Sequence, residues 1–157
     1  MPSKTNVFQA AQASNTWLVY CDGSAFPNPG TMGLGATLSK PDGEHHELSV
    51  TASCKGCNNE AEARAMVLAL DHARLLGAKN VRVYSDSRVV VDQLSGLDSR
   101  RIERLEPLFE NIRSLLASFE QADVAWIPGH RNTAADALAR TAAGLPARPD
   151  AKAQRKK

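Results

Sequence analysis

Aromatic residues are scarce in this chain. Phe, Trp and Tyr make up 5% of its 157 residues against 43% apolar overall, so an interior must be filled by Ala, Leu and Val, the composition of an α/β domain. No apolar run is long enough to span a bilayer, and the N-terminus lacks the basic-then-apolar layout of a secretory signal; together these predict a cytoplasmic protein with no membrane partner. Cysteine occurs only three times, an odd number, which in such a chain predicts free thiols in a reducing compartment. Cys54 and Cys57 form a C-x-x-C, but no second pair accompanies it and nothing around it is thioredoxin-like, so neither a zinc site nor a redox centre is indicated. A strong net charge is missing as well. The formal value is +2, yet residues 144–157 carry +4 and residues 1–15 carry +1, which leaves −3 on the remainder. The basic tail is therefore the most obvious phosphate-attracting element.

The length suits one compact domain. We expect a flexible extension over 1–15, a folded domain over 16–143 and a disordered basic tail over 144–157. Residues 17–21 form a short apolar run closed by Asp-Gly, as a buried strand should be. Strands are expected again at 32–39 and 46–53, separated by Pro41-Asp42-Gly43, and at 81–85 and 123–127. From Asn58 to Leu76 the spacing of Ala61, Ala65, Leu68 and Ala69 predicts a helix stopped by Gly77, with Glu62 in its first turn and Asn58 a possible N-cap. A helix to about Leu94, a longer one from Arg101 to Phe119 broken at Pro107, and a last one from Thr133 complete the reading. Three strands in series followed by alternating helices and strands predict an α/β fold: a five-stranded mixed sheet, its first three strands antiparallel, with helices on both faces.

What the chain does have is four acids in segments of unusual composition: Asp22 in YCDGSAFPNPG, Glu62 in NNEAEARA, Asp86 in VYSDSRVVVDQL and Asp136 in WIPGHRNTAADALA. Singly, each could be a solvated charge or a residue favoured at a helix N-terminus. As a set they describe a carboxylate cluster, and clustered carboxylates raise one another's pKa unless a cation neutralises them. Hard oxygen ligands select Mg²⁺ or Mn²⁺ over zinc.

The order and wording of these segments resemble the type 1 ribonuclease H family from about Trp17 to Ala143. The D-G-S context followed by N-P-G is met by Asp22, Gly23 and Ser24, then Asn28, Pro29 and Gly30; the acid after paired asparagines is Glu62, following Asn58 and Asn59, with Glu60 at a position the family does not use for metal. Ser85, Asp86 and Ser87 match the third motif, and Asn132, Asp136, Leu138 and Ala139 the fourth. The resemblance implies the ribonuclease H-like fold and a metal-dependent endoribonuclease, expected to need no protein partner and to act as a monomer, that hydrolyses the RNA strand of RNA–DNA hybrids to 5′-phosphate and 3′-hydroxyl ends. Two Mg²⁺ ions, with Mn²⁺ able to substitute, would be held by Asp22, Glu62, Asp86 and Asp136, Asp22 bridging them and Asp136 holding the one that activates water. Ser24, Asn28, Asn58, Asn59 and Asn132 would bind substrate, the paired asparagines through 2′-hydroxyls and minor-groove edges.

The sequence departs from better-known members in three places. His130 keeps its G-H context but lies only six positions before Asp136, so it either assists proton transfer and product release as a catalytic residue or points to solvent. Cys57 stands where a threonine often meets the DNA-strand phosphate. The basic, tryptophan-containing helix that some members insert after the third acid is missing, since Ser95 to Glu106 mixes Arg100, Arg101 and Arg104 with Asp98, Glu103 and Glu106, which reads as a solvated face. Both tryptophans are read as packing residues. Two rival functions stand beside the nuclease: a non-catalytic hybrid-binding module, against which all four acids argue, and a nuclease for branched DNA, against which the asparagines argue.

Overall fold

The computed structural model describes residues 15–96, 101–146 and 148–149. The expected extension over 1–15 therefore lies outside the described residues except for Asn15, as do Asp98 and Arg100 and most of the tail. Five strands form one sheet: β1 (Thr16–Phe26), β2 (Gly30–Ser39), β3 (His45–Gly56), β4 (Asn80–Ser85) and β5 (Gln121–Trp126), in the order β3-β2-β1-β4-β5. β1, β2 and β3 are antiparallel neighbours, and β4 and β5 run parallel to β1. This is the mixed five-stranded sheet that the alternation of elements predicts.

Among the described residues four α-helices cover it: α1 (Asn58–Leu75), α2 (Arg88–Ser95), α3 (Glu106–Ala117) and α4 (Thr133–Ala143). α1 buries Ala61, Ala65, Ala69 and Ala73, four apart, against the sheet, while α4 does the same with Ala135, Ala139 and Ala143. The sheet answers small with small. A Cβ on Gly23 of β1 would strike the backbone of Ala61 and Glu62 in α1, and one on Gly33 or Gly35 of β2 would strike the backbone of α4. Gly23 pairs with Leu34 and Asp22 with Gly35 across the β1–β2 ladder, so the two sets point to opposite faces and the two helices lie on opposite sides. Hydroxyls on β3 fasten α4 further, Ser49 Oγ donating to the Leu138 carbonyl at 2.8 Å and Thr51 Oγ1 to that of Ala142 at 2.7 Å. On the α1 face the core is closed by Met32, Leu38, Met66, Leu70, Phe109 and Ile112, all fully buried. Among the described residues, no helix is long and apolar enough to cross a membrane.

Several expected boundaries shift for identifiable reasons. β1 continues five residues beyond Cys21 because β2 goes on pairing with it after β4 has ended. Glu62 is the fifth residue of α1 and so opens its second turn, not its first. Cys57, not Asn58, is the N-cap of α1. Pro107 does not break a long helix: a 3₁₀ turn over Glu103–Leu105 precedes α3, and Pro107 occupies its first turn, where the missing N–H costs nothing. Trp17 packs in the core as expected, but Trp126 is 37% exposed.

Candidate metal centre

The register of β1 against β4 builds the centre. Cys21 pairs with Ser85 in the last rung of that parallel ladder, so Asp22 and Asp86 are each the first residue beyond it, at adjacent strand ends. The close approach that Gly23 permits brings the start of α1, and Glu62 with it, against Asp22 from one face. Gly35 permits the same of α4 from the other face, which brings Asp136. Oxygens of Asp22, Glu62 and Asp86 all lie within 4.8 Å of one another, and Asp136 adds its charge to the group beside Asp22. Glu60, four residues from Arg64, pairs with it at 2.8 Å and takes no part.

The electrostatics of the group are those of crowded, buried acids. Burial, then the neighbouring Asp86, Glu62 and Asp136 charges, push the Asp22 carboxyl up to about 9. Burial followed by Asp86 raises Glu62 to about 8 against an opposing hydrogen bond from Ser87, and burial raises Asp86. Glu62 Oε2 is buried without a hydrogen-bond partner. An orphaned carboxylate oxygen facing two other acids is what a hard dication would satisfy, so the donor set fits Mg²⁺ or Mn²⁺.

A second tier holds the acids in place. Ser87 caps α2, its Oγ accepting from Val90 N at 3.2 Å, and also bonds Glu62. Asn132 is 1% exposed. Its amide donates to the Cys21 carbonyl at 3.0 Å and also hydrogen-bonds Asp86, which ties the start of α4 to both strand ends. Asn132, expected to bind substrate, is sealed beneath the cluster, where its contacts are with the two strand ends. Ser24 is half-buried on β1, two residues beyond Asp22.

The other asparagines lie at the edge of the cluster. Asn28 Oδ1 accepts from Asn58 N at 3.0 Å, serving a helix-terminal donor that Cys57 leaves uncapped, and Asn58 Oδ1 accepts from Ala25 N at 2.8 Å. Both oxygens are thus committed to the protein, and the amide NH₂ groups are the donors left to face outward. Cys57 Sγ receives Arg104 Nη1 at 3.2 Å, and Cys54 is an exposed free thiol. His130 is exposed on a single 3₁₀ turn, Gly129–Arg131. That turn abuts the cluster, because a Cβ on Gly129 would come to 3.4 Å from Asp86 Oδ2. Trp126 borders the same edge, its Nε1 donating to the Asp86 carbonyl at 3.2 Å and its ring covered by the Arg88 guanidinium at 4.0 Å.

Comparison with known proteins bears out the family and the fold. The family model described as reverse transcriptase-like matches residues 20–142. The crystal structure of RNase H1 from Halobacterium salinarum superposes with a TM-score of 0.77 at 31% identity, covering 81% of this chain and 96% of that one. The chain belongs to the type 1 ribonuclease H family. A bifunctional protein of Mycobacterium tuberculosis is 35% identical over 128 residues, 80% of this chain, although the chain spans only 35% of that relative's length. LC11-RNase H1, solved in complex with an RNA/DNA hybrid, has a TM-score of 0.73 at 28% identity over 82% of this chain and 96% of its own. Within the ribonuclease H fold the acids here occupy the two strand ends and the two helix starts, and contacts that the motifs do not specify surround them: Ser87 of the third motif on Glu62, Trp126 on the Asp86 backbone, and Arg148, whose Nε lies 2.8 Å from Asp136 Oδ2. None of these contacts is signalled by a local pattern. Arg148 in particular reads in the sequence as one more charge in a basic tail.

Proposed function

We propose that the protein is a metal-dependent endoribonuclease that hydrolyses the RNA strand of RNA–DNA hybrids. The observation that carries this reading is the convergence of Asp22, Glu62, Asp86 and Asp136, three of them with raised pKa and one with an orphaned buried oxygen, in a chain of the ribonuclease H family. Asp22, central in the group, would serve both cations, with Glu62 and Asp86 holding one and Asp136 the other. Two Mg²⁺ ions, or Mn²⁺ in their place, would supply a polarised phosphate and an acidified water, giving 5′-phosphate and 3′-hydroxyl ends.

The chain's own groups do the rest. Ser87 orients Glu62, and Asn132 holds Asp86 beside Asp22, so the ligands are preorganised before substrate arrives. The outward NH₂ groups of Asn28 and Asn58, with Asn59 and Ser24 nearby, are donors for 2′-hydroxyls and minor-groove edges and so select which strand crosses the acids. His130, exposed on the turn whose Gly129 abuts Asp86, would hold a proton for the leaving group. The protein acts as a monomer in the cytoplasm on this reading, with the hybrid as its partner. Incubating the purified chain with Mg²⁺ or Mn²⁺ and labelled hybrid, double-stranded RNA, double-stranded DNA and a four-way DNA junction tests it. Cleavage confined to the RNA of the hybrid is expected; binding without cleavage would make it a hybrid-binding module, and cutting of branched DNA alone would make it a resolving nuclease.

A further inference from the structure

Beyond α4 the chain doubles back on the helix it has just left. Gly144 turns it with a left-handed φ of 82°. Leu145 N donates to the Arg140 carbonyl at 2.8 Å, and Arg140 Nε donates to the Pro146 carbonyl at 2.9 Å, so the returning segment is fastened to one residue of α4 from both its main chain and its side chain. Arg140 and Asp136 are four apart and share a face of the helix. The next arginine along the segment, Arg148, is thus delivered one turn further towards the start of α4. There its Nε donates to Asp136 Oδ2 at 2.8 Å, with 64% of the Arg148 side chain exposed and 15% of Asp136. Leu145 and Arg148 each precede a proline, which biases both to the extended backbone this return requires.

We propose that Arg148 is a further active-site residue, a tethered cation that occupies the Asp136 carboxylate when no divalent ion is bound and passes to a phosphate of the RNA strand when an ion claims that carboxylate. The inference rests on Asp136 being a metal ligand. A guanidinium cannot shed its proton, so once displaced it remains a positive charge at the mouth of the site, and its planar fork suits a phosphate in a way an ammonium does not. The Arg140–Pro146 fastening lies outside the exchanged contact, so releasing Asp136 does not release the segment. The same charge therefore stands in for the metal before loading and helps to seat substrate after it.

The test uses the full chain with Arg148→Ala and Arg148→Lys. Exposed ion pairs contribute up to about 1 kcal/mol, so removing the competitor should tighten Mn²⁺ binding to the hybrid-free protein by ~2- to 5-fold, read by calorimetry or water-proton relaxation. The same alanine variant should raise KM for hybrid at saturating Mg²⁺ with kcat little changed, and should lower the slope of log KM against log salt by about 0.9, the value of one phosphate contact. Arg148→Lys, which keeps the charge, should keep that slope. Mn²⁺ affinity unchanged in Arg148→Ala overturns the proposal, and so does an unchanged salt slope. A wild-type chain that neither binds Mn²⁺ nor cuts hybrid would instead overturn the two-metal reading, which keeps the two failures apart.

Discussion

At the scale of single residues the centre is a problem in charge. Asp86 shares a hydrogen bond with Asp22 and another with Asn132, and an asparagine there can keep both contacts while losing the charge. Asp86→Asn should therefore lower hybrid cleavage by orders of magnitude and, in chelator, raise stability by ~0.5–2 kcal/mol as carboxylate repulsion is relieved. Steady-state cleavage and denaturant melts read the two effects; near-wild-type turnover would remove Asp86 from the chemistry. His130 is the other residue-level question. It is exposed, yet its 3₁₀ turn abuts Asp86, so proximity favours a part in proton transfer. His130→Ala is expected to reduce kcat by ~10- to 100-fold with KM little changed, at or below the usual range for a positioned acid–base group. If both constants stay within about twofold, the side chain works on solvent and not on the reaction.

At the scale of elements, glycine decides where the acids can meet. Helix α4 lies on β2 so closely that a Cβ at Gly35 would run into the Ala135 carbonyl and the Ala139 amide, backbone atoms that cannot swing aside. In Gly35→Ala the helix must move outward, carrying Asp136 and Asn132 with it, while α1 and Glu62 on the opposite face stay in place. Overpacking of this kind costs ~1–3 kcal/mol. The diagnostic result is an increase in the Mg²⁺ concentration needed for half-maximal cleavage in a variant that is still folded by circular dichroism. Equal metal requirement in wild type and variant would show that Asp136 is not held by the seating of α4. The helix starts follow the same logic: Ser87 gives one hydroxyl to both the α2 cap and Glu62, so the local structure of one element and the ligand of another are a single contact.

At the scale of the whole molecule the buried acids couple folding to pH and to metal. Asp22 at about 9, Glu62 at about 8 and Asp86, also raised, stand above the ~4 of unfolded carboxylates. The metal-free fold thus holds more protons than the unfolded chain. The stability these groups contribute is complete below pH ~4 and is lost as pH climbs through 8 and 9. In chelator the melting temperature should fall between pH 6 and 9. Mg²⁺ should restore it and release protons, measurable as acidification of a weakly buffered solution. A melting temperature flat across that range in chelator would mean that the carboxyls already have counterions within the protein. Arg148 on Asp136 supplies one such counterion.

The chain's own order of residues determined the sheet, the acids and the family, because each of these is written locally. A buried strand closed by Asp-Gly, an alanine-spaced helix after paired asparagines and a Ser-Asp-Ser at a strand end are short-range patterns that survive without knowledge of neighbours. Strand pairing then follows from the alternation of elements. What tertiary structure alone decided was partnership. Asn132 shares a motif with Asp136 and reads as a substrate contact, yet packing seals it beneath the cluster on the Cys21 carbonyl. Pro107 reads as a break and proves to be a start, since the preceding 3₁₀ turn leaves its missing N–H without consequence. Trp126 reads as core and lies at the rim, and Arg148 reads as tail and lies on an acid twelve residues earlier. Periodicity reveals which face of an element is apolar, but hydrogen bonds and ion pairs depend on which two faces meet in space, and here that meeting was set by how closely the glycines let the helices approach the sheet.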